Sequence, residues 1–190
     1  MIPNVLEYTL LQMIAREASS GYELANRLRI MQNTHHSQIY PSLSKLEKAG
    51  FLVVHKHSQD KKPDKKVYTI TQSGLDSLLE WSETPLKIPV TRDEFTTKVQ
   101  LDWLNNARTK GLIQERESYL KEQLGLIEET LDHFVKLFDL KTKQDKLKNM
   151  SYQVYARRLD LIQTELKWCA EMYKIIKKPA NLIFAGFCYL

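Results

Sequence analysis

Apolar positions from Asn4 to Ala18 recur at helical spacing: Val5, Leu6, Thr9, Leu10, Met13 and Ile14 form one amphipathic face. Ser19-Ser20-Gly21 breaks that pattern, and Ser20 is placed to cap a second helix, Gly21 to about Met31, with Leu24, Ala25 and Leu28 inward. After a turn at Gln32-Asn33-Thr34, a third helix is expected from about Ser37 to Ala49. At roughly 100° per residue, Ile39, Leu43 and Leu46 fall on one stripe, and Gln38, Ser42 and Lys45 fall on another about a quarter turn away. The first stripe suits packing on the two preceding helices, and the second is left to face outward. Pro41 lies near the first turn, and Gly50 supplies a C-terminal stop.

Alternation then replaces helical spacing. Phe51 to His57 reads as a strand and Val67 to Ile70 as its partner, with a polar, lysine-rich loop from Ser58 to Lys66 between them. Thr71 caps a fourth helix through Ser82, with Leu75, Leu78 and Leu79 on one face. Thr84 to Val90, with Pro85 and Pro89, reads as a linker. Thr91-Arg92-Asp93-Glu94 is a capping box opening a helix to about Asn105, with Phe95, Val99 and Trp103 on one side.

Two long heptad patterns follow. One runs through Leu120, Leu124, Ile127, Leu131, Phe134 and Phe138. The other runs through Tyr155, Leu159, Ile162, Leu166, Cys169, Tyr173 and Ile176. A polar bridge, Lys141 to Asn149, lets them fold back antiparallel. Each seam is narrow, so a second subunit is expected to cover apolar surface and form a homodimer. Leu124, Leu131, Phe138, Leu159, Leu166 and Tyr173 are the candidate dimerisation residues. The fold class is therefore mainly α with a small β-wing: an N-terminal winged helix-turn-helix over 1–85 and a C-terminal antiparallel helical dimerisation domain over 90–190.

The charge distribution sharpens this picture. Net charge is only +5, with a pI near 9.1, but Asn26 to Leu75 holds nine basic against three acidic side chains. A local basic surplus suits contact with a phosphate backbone. A polar helix face beside it suits the major groove, where each base pair shows a distinct donor and acceptor pattern. Gln38, Ser42 and Lys45 are the candidates for base edges, and His36 and Ser37, at the helix N-terminus, for phosphate. Tyr40 can reach a phosphate or pack under the wing. Lys61, Lys62, Lys65 and Lys66 are expected to track the backbone, the plainer alternative being a solvated hairpin tip.

Other chemistry finds little support. His35, His36, His55 and His57 match no zinc spacing, and the two cysteines, Cys169 and Cys188, lie far away, so no metal or cofactor is expected. No nucleophile motif, glycine-rich phosphate loop or suggestive carboxylate pair occurs, and the chain does not read as an enzyme. Neither a leader peptide nor a membrane span is apparent, which points to the cytoplasm. Tyr8, Trp81, Trp103, Tyr155 and Trp168 are aromatic candidates for an effector pocket, with core packing as the plainer reading. The apolar stretch PANLIFAGFCYL, 179–190, is expected to dock on the body or on a dimer partner.

Three stretches resemble the PadR family of bacterial transcriptional regulators: GYEL at Gly21 to Leu24, SQIYPSLSKLEKAGFL at Ser37 to Leu52, and KKVYTITQSG at Lys65 to Gly74. The resemblance implies a homodimeric repressor on a double-stranded DNA operator, its recognition helices about 34 Å apart on an inverted repeat. HSQIYP and DEFTTK are similar to the branch that senses phenolic acids, which implies a small aromatic or hydrophobic effector. That branch carries an aromatic pair before the recognition helix, and Met31 to His35 has none. A winged-helix adaptor that binds a protein partner is the alternative from another class.

Overall fold

A computed structural model describes residues 1–31, 36–59, 62–88 and 93–176, with side chains characterised there except at 30, 31, 36, 57–59 and 62–64. The chain divides into two compact units, Met1–Pro89 and Val90–Leu190.

The first unit runs α1 (Val5–Arg16), β1 (Ser19–Ser20), α2 (Gly21–Met31), α3 (His36–Lys48), β2 (Leu52–Gln59), β3 (Lys62–Ile70) and α4 (Gln72–Ser82). Leu10 and Leu11 of α1, Leu24 and Leu28 of α2, and Ile39, Leu43 and Leu46 of α3 are wholly buried together. The face of α1 is rotated from the one its spacing suggests. Tyr8 and Leu11 point inward, and Val5 is exposed.

Turn chemistry fixes how α3 leads into the wing. Gly50 adopts φ 77°, and the N–H groups of Gly50 and Phe51 return to the carbonyls of Glu47 and Leu46. This paired closure needs a left-handed residue, a conformation that costs a side-chain-bearing residue about 1 kcal/mol. Strand β2 then pairs antiparallel with β3, Leu52 opposite Ile70 and Lys56 opposite Lys66. Thr71 joins wing to helix: its hydroxyl accepts from Gly74 N–H (3.1 Å) at the start of α4 and donates to the Gly50 carbonyl (2.7 Å). Gly74 is packed so closely that a Cβ would lie 2.6 Å from the Phe51 carbonyl oxygen.

Several expectations need correction here. Ser19-Ser20 is a third strand, set against β3 in a sheet of order β1-β3-β2, as well as a break between helices. Most of the expected Ser58–Lys66 loop belongs to the two wing strands, so Lys65 and Lys66 stand on β3 rather than at a hairpin tip. Of the three leucines expected on the inner face of α4, Leu78 packs on the core, while Leu75 and Leu79 are exposed.

The second unit holds α5 (Glu94–Val99), α6 (Asn106–Leu137), α7 (Lys143–Lys148) and α8 (Met150–Ile176). Helix α5 is capped by Asp93 and stops at Val99, short of the expected Asn105, which leaves Trp103 exposed in a turn. The capping-box positions Thr91 and Arg92 lie outside the described residues, as does 179–190. Helices α6 and α8 run antiparallel: Arg116 Nε donates to Glu165 Oε1 (2.6 Å) near one end, and the rings of Phe134 and Tyr155 meet edge-on (4.9 Å) near the other. Ile113, Leu120, Ile162 and the Cys169 thiol share the buried seam.

The residues expected at a dimer contact mostly take part in this internal pairing. Leu131 is buried within the chain, and Leu124 and Leu166 pack on the α6–α8 core. Phe138 lies against Phe134, the Tyr173 hydroxyl accepts from Gln114 Nε2 (3.1 Å), and Leu159 is half-buried. Two narrow seams on one chain satisfy each other first. What remains exposed on α8 is a different row: Val154, Leu161, Trp168 and Ile175, each seven residues from the last.

Candidate nucleic-acid interface

Helix α3 and the β2–β3 wing follow one another directly, so the groove-facing candidates and the basic candidates belong to one folded unit. The apolar stripe of α3 is turned wholly inward, which fixes the helix's rotation. The outward centre must then lie opposite Ile39, Leu43 and Leu46, and there stand Ser37, Pro41, Ser44 and Lys48, all exposed. Gln38 and Lys45 form one shoulder of this face and Tyr40 the other. Ser42 falls on the inner edge at 8% exposure and is not available to a groove. A stripe a quarter turn from the core is a flank; the reading frame is its far side. Ser44, Lys48 and Pro41 were therefore missed, although the same wheel, read half a turn from the leucines, identifies them.

Pro41 sits inside α3, further along than the first turn. Its missing N–H leaves the Ser37 carbonyl without its intrahelical donor, tolerable on an exposed face. The Tyr40 ring settles over the start of α2, where a Cβ on Gly21 would lie 2.6 Å from its Cε1. The ring packs there and the side chain remains half-exposed. Burial raises the pKa of the Tyr68 phenol, with the charges of Glu47 and Tyr40 acting the same way.

The basic residues divide into two groups. Lys45 Nζ donates to Glu7 Oε1 (2.8 Å), an acid only 2% exposed. Glu7 also closes the capping box of α1, accepting from the Asn4 N–H (2.8 Å). Lys65 Nζ donates to Glu23 Oε1 (2.9 Å), while Glu23 Oε2 accepts from the N–H and the hydroxyl of Ser20 (2.8 Å each). Burial pushes the Glu23 carboxyl up, but the Ser20 hydrogen bonds and the Lys65 ammonium outweigh it and hold it down at about 2. Lys45 and Lys65 are thus engaged cations rather than the free ones expected. Lys48, Lys56 and Lys66 are exposed, and among the described residues none of the three forms an ion pair. The side chains of His36, Lys61 and Lys62 lie outside the described residues.

The aromatic candidates are mostly packing residues. Tyr8 and Trp81 stack at 4.4 Å, and Trp168 meets Phe95 edge-on at 6.0 Å. Arg116 lies over the Phe95 ring (5.1 Å) while holding Glu165.

A helix presenting an exposed polar face, stopped by a left-handed glycine and followed by a basic two-stranded wing, is the DNA-reading unit of a winged helix-turn-helix protein. Residues 10–80 match the transcriptional regulator PadR-like family. The negative transcriptional regulator PadR of Bacillus subtilis (strain 168) is 32% identical over 138 residues, 67% of this chain and 76% of that protein. The crystal structure of Bacillus subtilis PadR with operator DNA superposes with a TM-score of 0.62 at 25% identity, over 92% of this chain and all of that one. Its structure with p-coumaric acid shares the fold, with a TM-score of 0.56 at 24% identity over 92% and 100% of the two chains. The chain belongs to the PadR-like family and is a DNA-binding transcriptional regulator.

Proposed function

We propose that the protein is a homodimeric, ligand-responsive repressor of an inverted-repeat operator, residues 1–85 reading DNA and 90–190 joining the subunits. The observation that carries the DNA reading is the complete burial of the α3 apolar stripe, which leaves Ser37, Gln38, Ser44 and Lys48 facing out beside a basic wing. In this reading Gln38 and Ser44 meet base edges, and Ser37, the Tyr40 hydroxyl, Lys48 and Lys66 meet phosphates. Two such helices about one turn of duplex apart, ~34 Å, read half-sites about 10 base pairs apart.

Support for the dimer comes from α8. Its exposed row of Val154, Leu161, Trp168 and Ile175 has the period of a helix-to-helix seam. Arg157 and Glu171 stand exposed on the same side, equally spaced about Thr164. A second α8 laid antiparallel covers the apolar row and sets each Arg157 beside the partner's Glu171.

Support for an effector comes from the Bacillus subtilis relative, solved with p-coumaric acid, and from the HSQIYP and DEFTTK stretches. A small aromatic acid is the class we propose, acting by favouring a dimer geometry that no longer fits DNA. No described helix is long and apolar enough to cross a membrane, and the cytoplasm is the proposed location.

The test is binding to a duplex carrying the protein's own promoter, titrated with salt. Affinity should fall by orders of magnitude from about 50 to about 200 mM salt and exceed that for scrambled sequence. No binding at the lower salt would favour the protein-adaptor alternative.

A further inference from the structure

Two acids on the supporting helices do the same thing with the same atoms. Glu7 gives Oε2 to the Asn4 N–H and Oε1 to Lys45; Glu23 gives Oε2 to Ser20 and Oε1 to Lys65. In each case a helix-capping carboxylate also holds a lysine from the DNA-facing elements, one on α3 and one on β3. Helix capping alone needs only one of the two oxygens. Glu7 is nearly inaccessible, so its carboxylate cannot follow Lys45 outward to a phosphate. Withdrawing Lys45 would strand a buried charge, which is strongly unfavourable. Lys48 and Lys66 are exposed and carry no such partner among the described residues.

We infer that Glu7 and Glu23 latch Lys45 and Lys65 and withhold both charges from sequence-independent phosphate binding, so that these acids determine specificity while Lys48 and Lys66 supply the attraction. This rests on the proposed DNA face. Every phosphate contact adds affinity for any sequence and steepens the dependence on salt. Two latched lysines stiffen the recognition helix and the wing without adding to that unspecific term, which widens the gap between operator and random DNA.

The experiment is the slope of log affinity against log salt on a mixed-sequence duplex, using the full chain and checking each variant by thermal melting. Lys48→Met and Lys66→Met should each flatten the slope by about one unit, the loss of one phosphate contact. Lys45→Met and Lys65→Met should leave it at the wild-type value. Glu7→Gln and Glu23→Gln should steepen it by about one unit, and pairing each with its lysine substitution should return it. Because Lys45→Met strands a buried carboxylate, Lys65→Met and the Glu7→Gln/Lys45→Met pair carry the test should that variant not fold. If Lys48→Met and Lys66→Met leave the slope unchanged, the DNA face itself is misplaced. If they flatten it and Lys45→Met or Lys65→Met flattens it equally, the latch is wrong.

Discussion

Residue-level chemistry explains why particular letters of the family motifs are what they are. Gly50 has open space around its missing Cβ, so only its positive φ demands glycine. Gly74 is the converse, an ordinary backbone pressed against the Phe51 carbonyl. Gly50→Ala should therefore lower stability by about 1 kcal/mol, measured by urea denaturation. Gly74→Ala should cost more, because a backbone oxygen cannot step aside. Glu23 gives a pH signature. Its carboxyl sits at about 2 in the fold against 4.5 unperturbed, a lowered value. Its stabilising contribution is complete above pH 4.5 and is lost as pH falls through about 2. The stability difference between wild type and Glu23→Gln should shrink over that window and stay constant above it; a difference that grew on acidification would contradict the assignment. Charge reversal at Lys45 is a poor probe of DNA contact for the same kind of reason. It would set a second carboxylate beside the buried Glu7 and unsettle α1 and α3 before any DNA was added.

At the scale of elements, what the sequence made legible was set by period and cap. The first three helices, the stop at Gly50, the cap at Thr71 and the antiparallel long helices all carry local signals, and all are present. The misreadings arose where a decision depended on neighbours. A two-residue strand, Ser19-Ser20, has no period to read and exists only because β3 lies beside it. Ser42 stands only a quarter turn from the leucine stripe, and packing of that stripe on α1 and α2 draws it inward. The two heptad seams pack on each other within the chain, and the row left exposed on α8 is the surface proposed for a partner. Leu161→Glu should therefore dissociate the proposed dimer in sedimentation experiments while leaving helicity intact. Arg157→Glu alone and Glu171→Arg alone should each weaken it, and the two together should restore it. The two positions are fourteen residues apart, about 21 Å along one helix, too far for repair within a subunit. Failure of the double exchange to rescue would rule out the antiparallel arrangement.

In the proposed function the two units divide the work: one offers a stiff reading head, the other long helices with apolar surface to spare. The head is stiff because wholly buried leucines, a left-handed turn, a shared threonine and the Lys45–Glu7 ion pair fix α3 to its surroundings, while the Lys65–Glu23 pair ties β3 to α2. A monomer reading one half-site would bind weakly, and joining two heads converts the second contact into an intramolecular one. Variants that break the α8 row should accordingly lose operator affinity without any change on the DNA face, seen as a steep dependence of duplex binding on protein concentration. The most direct measurement of the central claim is fluorescence anisotropy of the chain's own promoter duplex with wild type and Lys48→Glu, each verified as folded by circular dichroism. The outward face of α3 is expected to lose at least about tenfold in affinity, ~1.4 kcal/mol, with its melting temperature unchanged. Equal affinity for the two proteins would mean that this face does not meet DNA.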